Sequence, residues 1–326
     1  MPATFAHCLI GTIAIDALLK KKKKILAKIL SEYNSFVITG ATGPDYPYLT
    51  DVLTTGVLKI GHTWANRMHY ESVPTFVTEG VARLAEMDRK SKPFAIRLAW
   101  FCGYISHVIA DSYVHPVVNS IVHGPYMFTH NEHGKCELIQ DIYIFQKETG
   151  EDIVSSNPRD GNFGYLRILD ECSDPGDIDR IHPDIRAFWS DLLKSAHPNA
   201  KEYFGSIDPD KWHYNYKGRV NFVVDPGAIF RHILGMAGFN YKKASEITTE
   251  ERQKYIEKVQ LPNGLEDHYD SVFKNVVDRV VAVWEKLFES ITQGTPDKVA
   301  EYIKDWNLDT GVDESKIDLW MLEKET

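Results

Sequence analysis

Cysteine is scarce. Cys8, Cys102, Cys136 and Cys172 are the whole complement, and no two stand at a spacing typical of a bridge or a thiolate metal site. This argues against a disulfide framework and makes a reducing cytoplasm the expected compartment. Basic charge is also short: 37 Lys and Arg stand against 46 Asp and Glu, a net charge of -9. Nucleic-acid binding through a basic surface is therefore not expected. No window reaches the roughly 18 uninterrupted apolar residues of a membrane span. The opening MPATFAHCLIGTIAIDALLK has no basic residue ahead of its apolar middle and no small-residue cleavage site after it, which argues against a secretory leader. Sustained apolar–polar alternation closed by hairpin turns is missing too, so strands are not predicted.

Apolar spacing of the helical kind fills the space left by these absences. It predicts an all-α protein, with helices near 5–30, 50–60, 74–90, 93–115, 132–147, 180–195, 268–293 and 296–306. Two glycines and two prolines make FVITGATGPDYPYL, residues 36–49, a predicted loop. Residues 150–180, rich in Asp, Pro, Gly and Asn, form a second irregular stretch, either a lobe boundary or a surface excursion. The reading is a mainly helical domain over 1–306, followed by an acidic, peripheral tail over 307–326. Within the first predicted helix, Lys20 to Lys24 form an unbroken basic run. Five helical residues sweep about 500° of azimuth, so at least one of these lysines must turn inward, snorkel, or mark a helix break. The run is read first as a solvated helix end and second as a point of transient contact with an anionic membrane surface.

Histidine is concentrated. Eight of the 13 lie in the first 133 residues: His7, His62, His69, His107, His115, His123, His130 and His133. The segment HVIADSYVHP places His107, Asp111 and His115 four residues apart at the end of the apolar run FAIRLAWFCGYIS. On a helix these three share one face. A carboxylate buried between two imidazoles must either be paired or bind a metal, because a lone buried charge is costly. His133 and Glu137 form a second pair at the same spacing in EHGKCELIQDIYIF. Asp45 sits between prolines and tyrosines in GPDYPY, and HTWANRMHYE offers His62 and His69. His123 and His130 read as surface or capping residues. Imidazole and carboxylate ligands without thiolates suit zinc or a similar divalent ion.

The ordered series His7, PDYPY, MHYE, HVIADSYVHP and EHGKCE, within about residues 5–145, resembles the zinc-dependent phospholipase C family. That family includes bacterial phospholipase C, the phospholipase C-like domain of glycosylphosphatidylinositol-specific phospholipase D and, more distantly, fungal single-strand nucleases. The resemblance implies a helical domain of the phospholipase C/nuclease type with two or three zinc ions between core helices. By the family pattern Asp45, His69, His107 and Asp111 hold one metal and His115, His133 and Glu137 a second, while His7 and Asp111 contribute to a third, with Asp111 bridging. The implied reaction is hydrolysis of a phosphodiester, most simply a phospholipid, by a metal-activated water, with Asp45 as both ligand and general base.

Two features depart from the secreted bacterial enzymes. The chain starts Met-Pro and reaches His7 without the N-terminal Trp whose amine completes the third site there. Three residues, not five, separate Asp111 from His115, a spacing that looks like the phospholipase D-associated domain. Tyr46, Tyr48, Trp64, Tyr70, Tyr104, Tyr113 and Tyr126 lie near the motifs and read as packing or as walls of a headgroup pocket. The competing readings are a phosphodiesterase of soluble nucleotides, a non-catalytic metal-binding helical protein, and a di-iron bundle. The last lacks its Glu-x-x-His pair in the motif region.

Overall fold

The computed structural model describes residues 4–21, 23–48, 64–124, 126–157, 159–199, 206–224, 241–313 and 320. The architecture is all-α, built around one long helix. In chain order the first helices are α1 (Thr4–Lys20), α2 (Lys24–Glu32), α3 (Asn34–Thr42), α4 (Trp64–Tyr70), α5 (Val73–Ala85), α6 (Lys92–Val122) and α7 (Tyr126–Thr149). They are followed by α8 (Tyr165–Glu171), α9 (Pro183–Ala196), α10 (Pro209–Val224), α11 (Thr249–Arg252), α12 (Tyr269–Gln293) and α13 (Val299–Tyr302). Two short antiparallel hairpins, Ser173–Asp174 with Asp177–Ile181 and Val259–Gln260 with Glu266–Asp267, are the β-structure among the described residues.

Helix α6 is the axis. Ser91 caps its first turn by accepting the Phe94 N–H at 3.3 Å. The helix is long and apolar enough to cross a membrane, yet most of its apolar window is buried inside the protein. It packs against α1, α3, α7, α9 and α12, as the central helix of a large core. Pro116 lies inside it and cannot donate to the Ser112 carbonyl.

Over its described residues, 36–48, the predicted loop instead contains α3 followed by a 3-10 turn, Gly43–Asp45. Glycine at this helix contact serves proximity, not flexibility. A Cβ on Gly40 would lie 2.0 Å from the Trp100 oxygen, and one on Gly103 would lie 2.0 Å from the Val37 oxygen. The two glycines thus let the backbones of α3 and α6 approach to contact. Pro44 falls in the first turn of the 3-10 segment, where no N–H is needed.

Other boundaries moved for equally local reasons. The first predicted helix breaks between α1 and α2 within the lysine run. The predicted 50–60 helix lies outside the described residues. Over 296–306 only a 3-10 turn, Pro296–Lys298, and the short α13 form before the chain extends at Ile303. That extension buries Ile303, Trp306 and Leu308. Residues 307–313 and Trp320, expected in a peripheral tail, pack on the core instead. Leu308 is fully buried, and the Trp320 indole N–H donates to the Tyr113 carbonyl at 3.0 Å.

Candidate metal centre

Five elements converge on one buried point. α1 supplies His7, the 3-10 turn after α3 supplies Asp45, and α4 supplies His69. α6 supplies His107, Asp111 and His115 from one face, and α7 supplies His133 and Glu137. α7 breaks its helical geometry at Thr129, so the turn bearing His133 and Glu137 starts a fresh helical run. All eight predicted side chains are buried. Asp45 at 6% and Glu137 at 8% keep the most exposure, which marks the open side of the centre.

The eight fall into three groups with ligand atoms mutually within 4.8 Å, the first two sharing His107: Asp45, His69 and His107; His7, His107 and Asp111; and His115, His133 and Glu137. Asp111 stands between them. Its Oδ2 lies 3.2 Å from His107 Nε2 and 3.5 Å from His69 Nε2, while its Oδ1 lies 3.1 Å from His7 Nε2 and 3.8 Å from His115 Nε2. Asp45 Oδ1 is 3.4 Å from His69 Nε2, and Glu137 Oε1 is 2.9 Å from His133 Nε2. The His7 and His107 rings stack at 4.2 Å.

Hydrogen bonding tests whether this set fits a cation. His69 Nδ1 lies 2.7 Å from the Ala65 carbonyl, and His107 Nδ1 lies 2.9 Å from the Ala41 carbonyl. A carbonyl only accepts, so both Nδ1 atoms carry the hydrogen, and in the neutral rings both Nε2 atoms present lone pairs. Those two Nε2 atoms stand 3.2 Å apart. Lone pairs facing at that distance require a proton or a cation between or beside them. The nearby acceptors compound the need. Asp111 Oδ1 and Oδ2, Asp45 Oδ1, His7 Nε2 and His115 Nε2 are buried with no aligned hydrogen-bond partner among the described residues. Buried polar atoms are rarely left so, and here they aim at a shared space. The donor set therefore fits divalent metal.

Without metal, protons take the cation's place. Burial lowers His107, but Asp111 and Asp45 beside it win and raise it to about 9. Burial pushes Asp111 upward, yet His107 and His115 hold its carboxyl well below the ordinary range. Asp45 is likewise depressed, burial being outweighed by His107 and His69. Burial lowers His7 and takes His115 well below its usual value. His107 is thus the ring that the carboxylates favour as an imidazolium.

The sequence profile of zinc-dependent phospholipase C matches residues 6–199. The chain belongs to the zinc-dependent phospholipase C family. No curated protein and no solved structure matches it at a significant level. The matched span carries all eight residues and ends before α10.

Two further histidines of the N-terminal half are also placed. His123 ends α6 in a left-handed conformation, φ 58°, and His130 is exposed. His62 lies outside the described residues. Three kinds of contributor gave no sequence signal. The Ala41 and Ala65 carbonyls orient the rings through backbone atoms. Asp141, buried in α7, accepts the Ala6 N–H at 2.6 Å and the Tyr241 hydroxyl at 2.9 Å, fixing the α1 end that bears His7. The third is Asp309, whose Oδ1 lies 3.5 Å from His115 Nδ1. Only proximity in the fold reveals it.

Proposed function

We propose that this member of the family is a hydrolase of phosphodiesters, with a phospholipid as the substrate class. Asp45, His69, His107 and Asp111 would hold one divalent ion, and His115, His133 and Glu137 a second. His7 and Asp111 would contribute to a third, so that Asp111 is shared. The observation that carries the reading is the 3.2 Å approach of His69 Nε2 to His107 Nε2 while both Nδ1 atoms are committed to carbonyls.

Bound divalent ions supply Lewis-acid polarisation of a phosphoryl oxygen and acidify a water at their site. The chain's own groups do the rest. The backbone carbonyls of Ala41 and Ala65 fix the tautomer and aim of two rings, so orientation is set before substrate arrives. Asp45 turns Oδ1 toward His69 and His107, which leaves Oδ2 to take a proton from the attacking water. Its residual exposure places it where substrate and water enter.

We further infer transient docking on an anionic membrane surface through the α1–α2 junction. Lys20, Lys21, Lys23 and Lys24 are exposed there, flanked by Leu19 at 49% and Ile25 at 69% exposure. Charge attracts such a segment to acidic headgroups and the apolar pair can enter them. His7 and Lys20 stand at opposite ends of α1, about 20 Å apart at 1.5 Å per residue, so the junction would tether the protein rather than line the site. Four buried, unpaired thiols support a reducing compartment.

Turnover of a chromogenic phosphodiester by zinc-reconstituted protein tests the reaction. Activity is expected in the wild type and is lost in Asp45→Asn. Full zinc loading without turnover of this substrate or of phosphatidylcholine would instead identify a non-catalytic metal-binding protein.

A further inference from the structure

The geometry points to Asp309 as a positioning residue for His115, supplied by a C-terminal segment outside the family match. This inference rests on the reading of His115, His133 and Glu137 as a metal site.

His115 differs from His69 and His107. Their Nδ1 atoms face backbone carbonyls, whereas His115 Nδ1 is buried without an aligned hydrogen-bond partner among the described residues. Metal on Nε2 would force the ring into the tautomer that carries hydrogen on Nδ1, and that hydrogen needs an acceptor. The carboxylate beside it is Asp309, with Oδ1 at 3.5 Å. Apo geometry of this kind is often long and tightens when the site fills.

Asp309 is itself held in place. Its Oδ2 accepts the Tyr70 hydroxyl at 2.6 Å, its carbonyl accepts from Asn119 Nδ2 at 2.9 Å, and its N–H donates to Asn307 Oδ1 at 3.0 Å. The neighbouring Leu308 N–H donates to the carbonyl of His69 at 2.9 Å. Two residues on, Gly311 takes φ +65° against the Ser112 carbonyl that Pro116 leaves without its helical donor. A Cβ there would lie 2.3 Å from that oxygen. The segment thus docks at the helix defect beside the ligands and ties α4, which bears His69, to the stretch of α6 that bears His115.

Competitive chelator titration of the full chain with zinc tests this, with His115→Ala marking which equivalent belongs to the His115 site. Asp309→Ala is expected to weaken that equivalent about 10- to 100-fold. The equivalent held by Asp45, His69 and His107 should stay unchanged. Asp309→Asn, which restores a neutral acceptor, should fall between and carries the same comparison if the alanine variant does not fold. A merely structural role would weaken both equivalents together or lower only the melting temperature. Wild-type affinity at the His115 equivalent in the asparagine variant, or equal weakening of both, overturns the inference. If His115→Ala removes no zinc relative to wild type, both the inference and the reading of His115, His133 and Glu137 as a metal site are overturned.

Discussion

His69 Nε2 and His107 Nε2 lie 3.2 Å apart, each on a ring whose other nitrogen is committed to a backbone carbonyl. One cation must relieve that approach. Below the raised value of His107, about 9, a proton can do so, and a divalent ion can do so at any pH that leaves the rings neutral. Proton and metal therefore compete for the same space.

This competition gives a pH dependence with a definite sign. The folded value of His107 is about 9 against an ordinary 6.5, so in metal-free protein its contribution to stability is fully present below about pH 6.5. It is lost as pH rises through about 9. Metal affinity runs the other way, because ligands must shed protons to bind. The melting-temperature gap between zinc-loaded and chelator-treated protein is expected to widen from pH 6.5 to 9. Differential scanning fluorimetry across that range checks it, and a gap that narrows would contradict the competition.

The close approach of α3 and α6 is a second testable point. In Gly40→Ala or Gly103→Ala, a Cβ would meet backbone oxygen at 2.0 Å, and backbone cannot step aside as a side chain can. The helices must separate, at a cost of about 3 kcal/mol. Separation also pulls the Ala41 carbonyl from His107 Nδ1. Chemical denaturation should show the loss of stability, and zinc titration should show weaker binding in whatever fraction folds.

Asp111 and Glu137 should differ in reach. Asp111 presents one oxygen to the His69–His107 pair and the other toward His7 and His115, whereas Glu137 stands with His115 and His133. Asp111→Asn is expected to lose more than one equivalent of metal and Glu137→Gln about one. Elemental analysis of the two folded variants decides it. Full occupancy in Asp111→Asn would reduce that residue to an ion-pair partner in the core.

The lysine junction can be tested without touching the centre. Replacing Lys20, Lys21, Lys23 and Lys24 by Glu should abolish sedimentation with phosphatidylserine-containing vesicles, at about 1 kcal/mol per lysine removed. Zinc content and hydrolysis of a soluble substrate should be unchanged. Equal sedimentation of wild type and variant would refute the docking role.

What the sequence made legible follows from how each feature is encoded. The all-α class and the shared face of His107, Asp111 and His115 were readable because helical periodicity is local. The same holds for His133 and Glu137. The sequence of α3 reads as a loop because glycine weakens local helix preference, and its packing role at Gly40 is visible only beside Trp100. The 307–313 segment reads as peripheral for a related reason. Acidic, Gly-containing sequence looks solvated until Asp309 is found beside His115 and Leu308 beneath the surface. Ring orientation by the Ala41 and Ala65 carbonyls leaves no trace in residue type at all.

The most direct test of the central claim is a crystal structure of the zinc-loaded protein with anomalous data collected at the zinc edge. The account predicts one peak in contact with Asp45, His69, His107 and Asp111 and a second in contact with His115, His133 and Glu137, each about 2.0–2.2 Å from its ligand atoms. Zinc peaks confined to surface residues, with His69 and His107 still facing each other at hydrogen-bond distance, would contradict it.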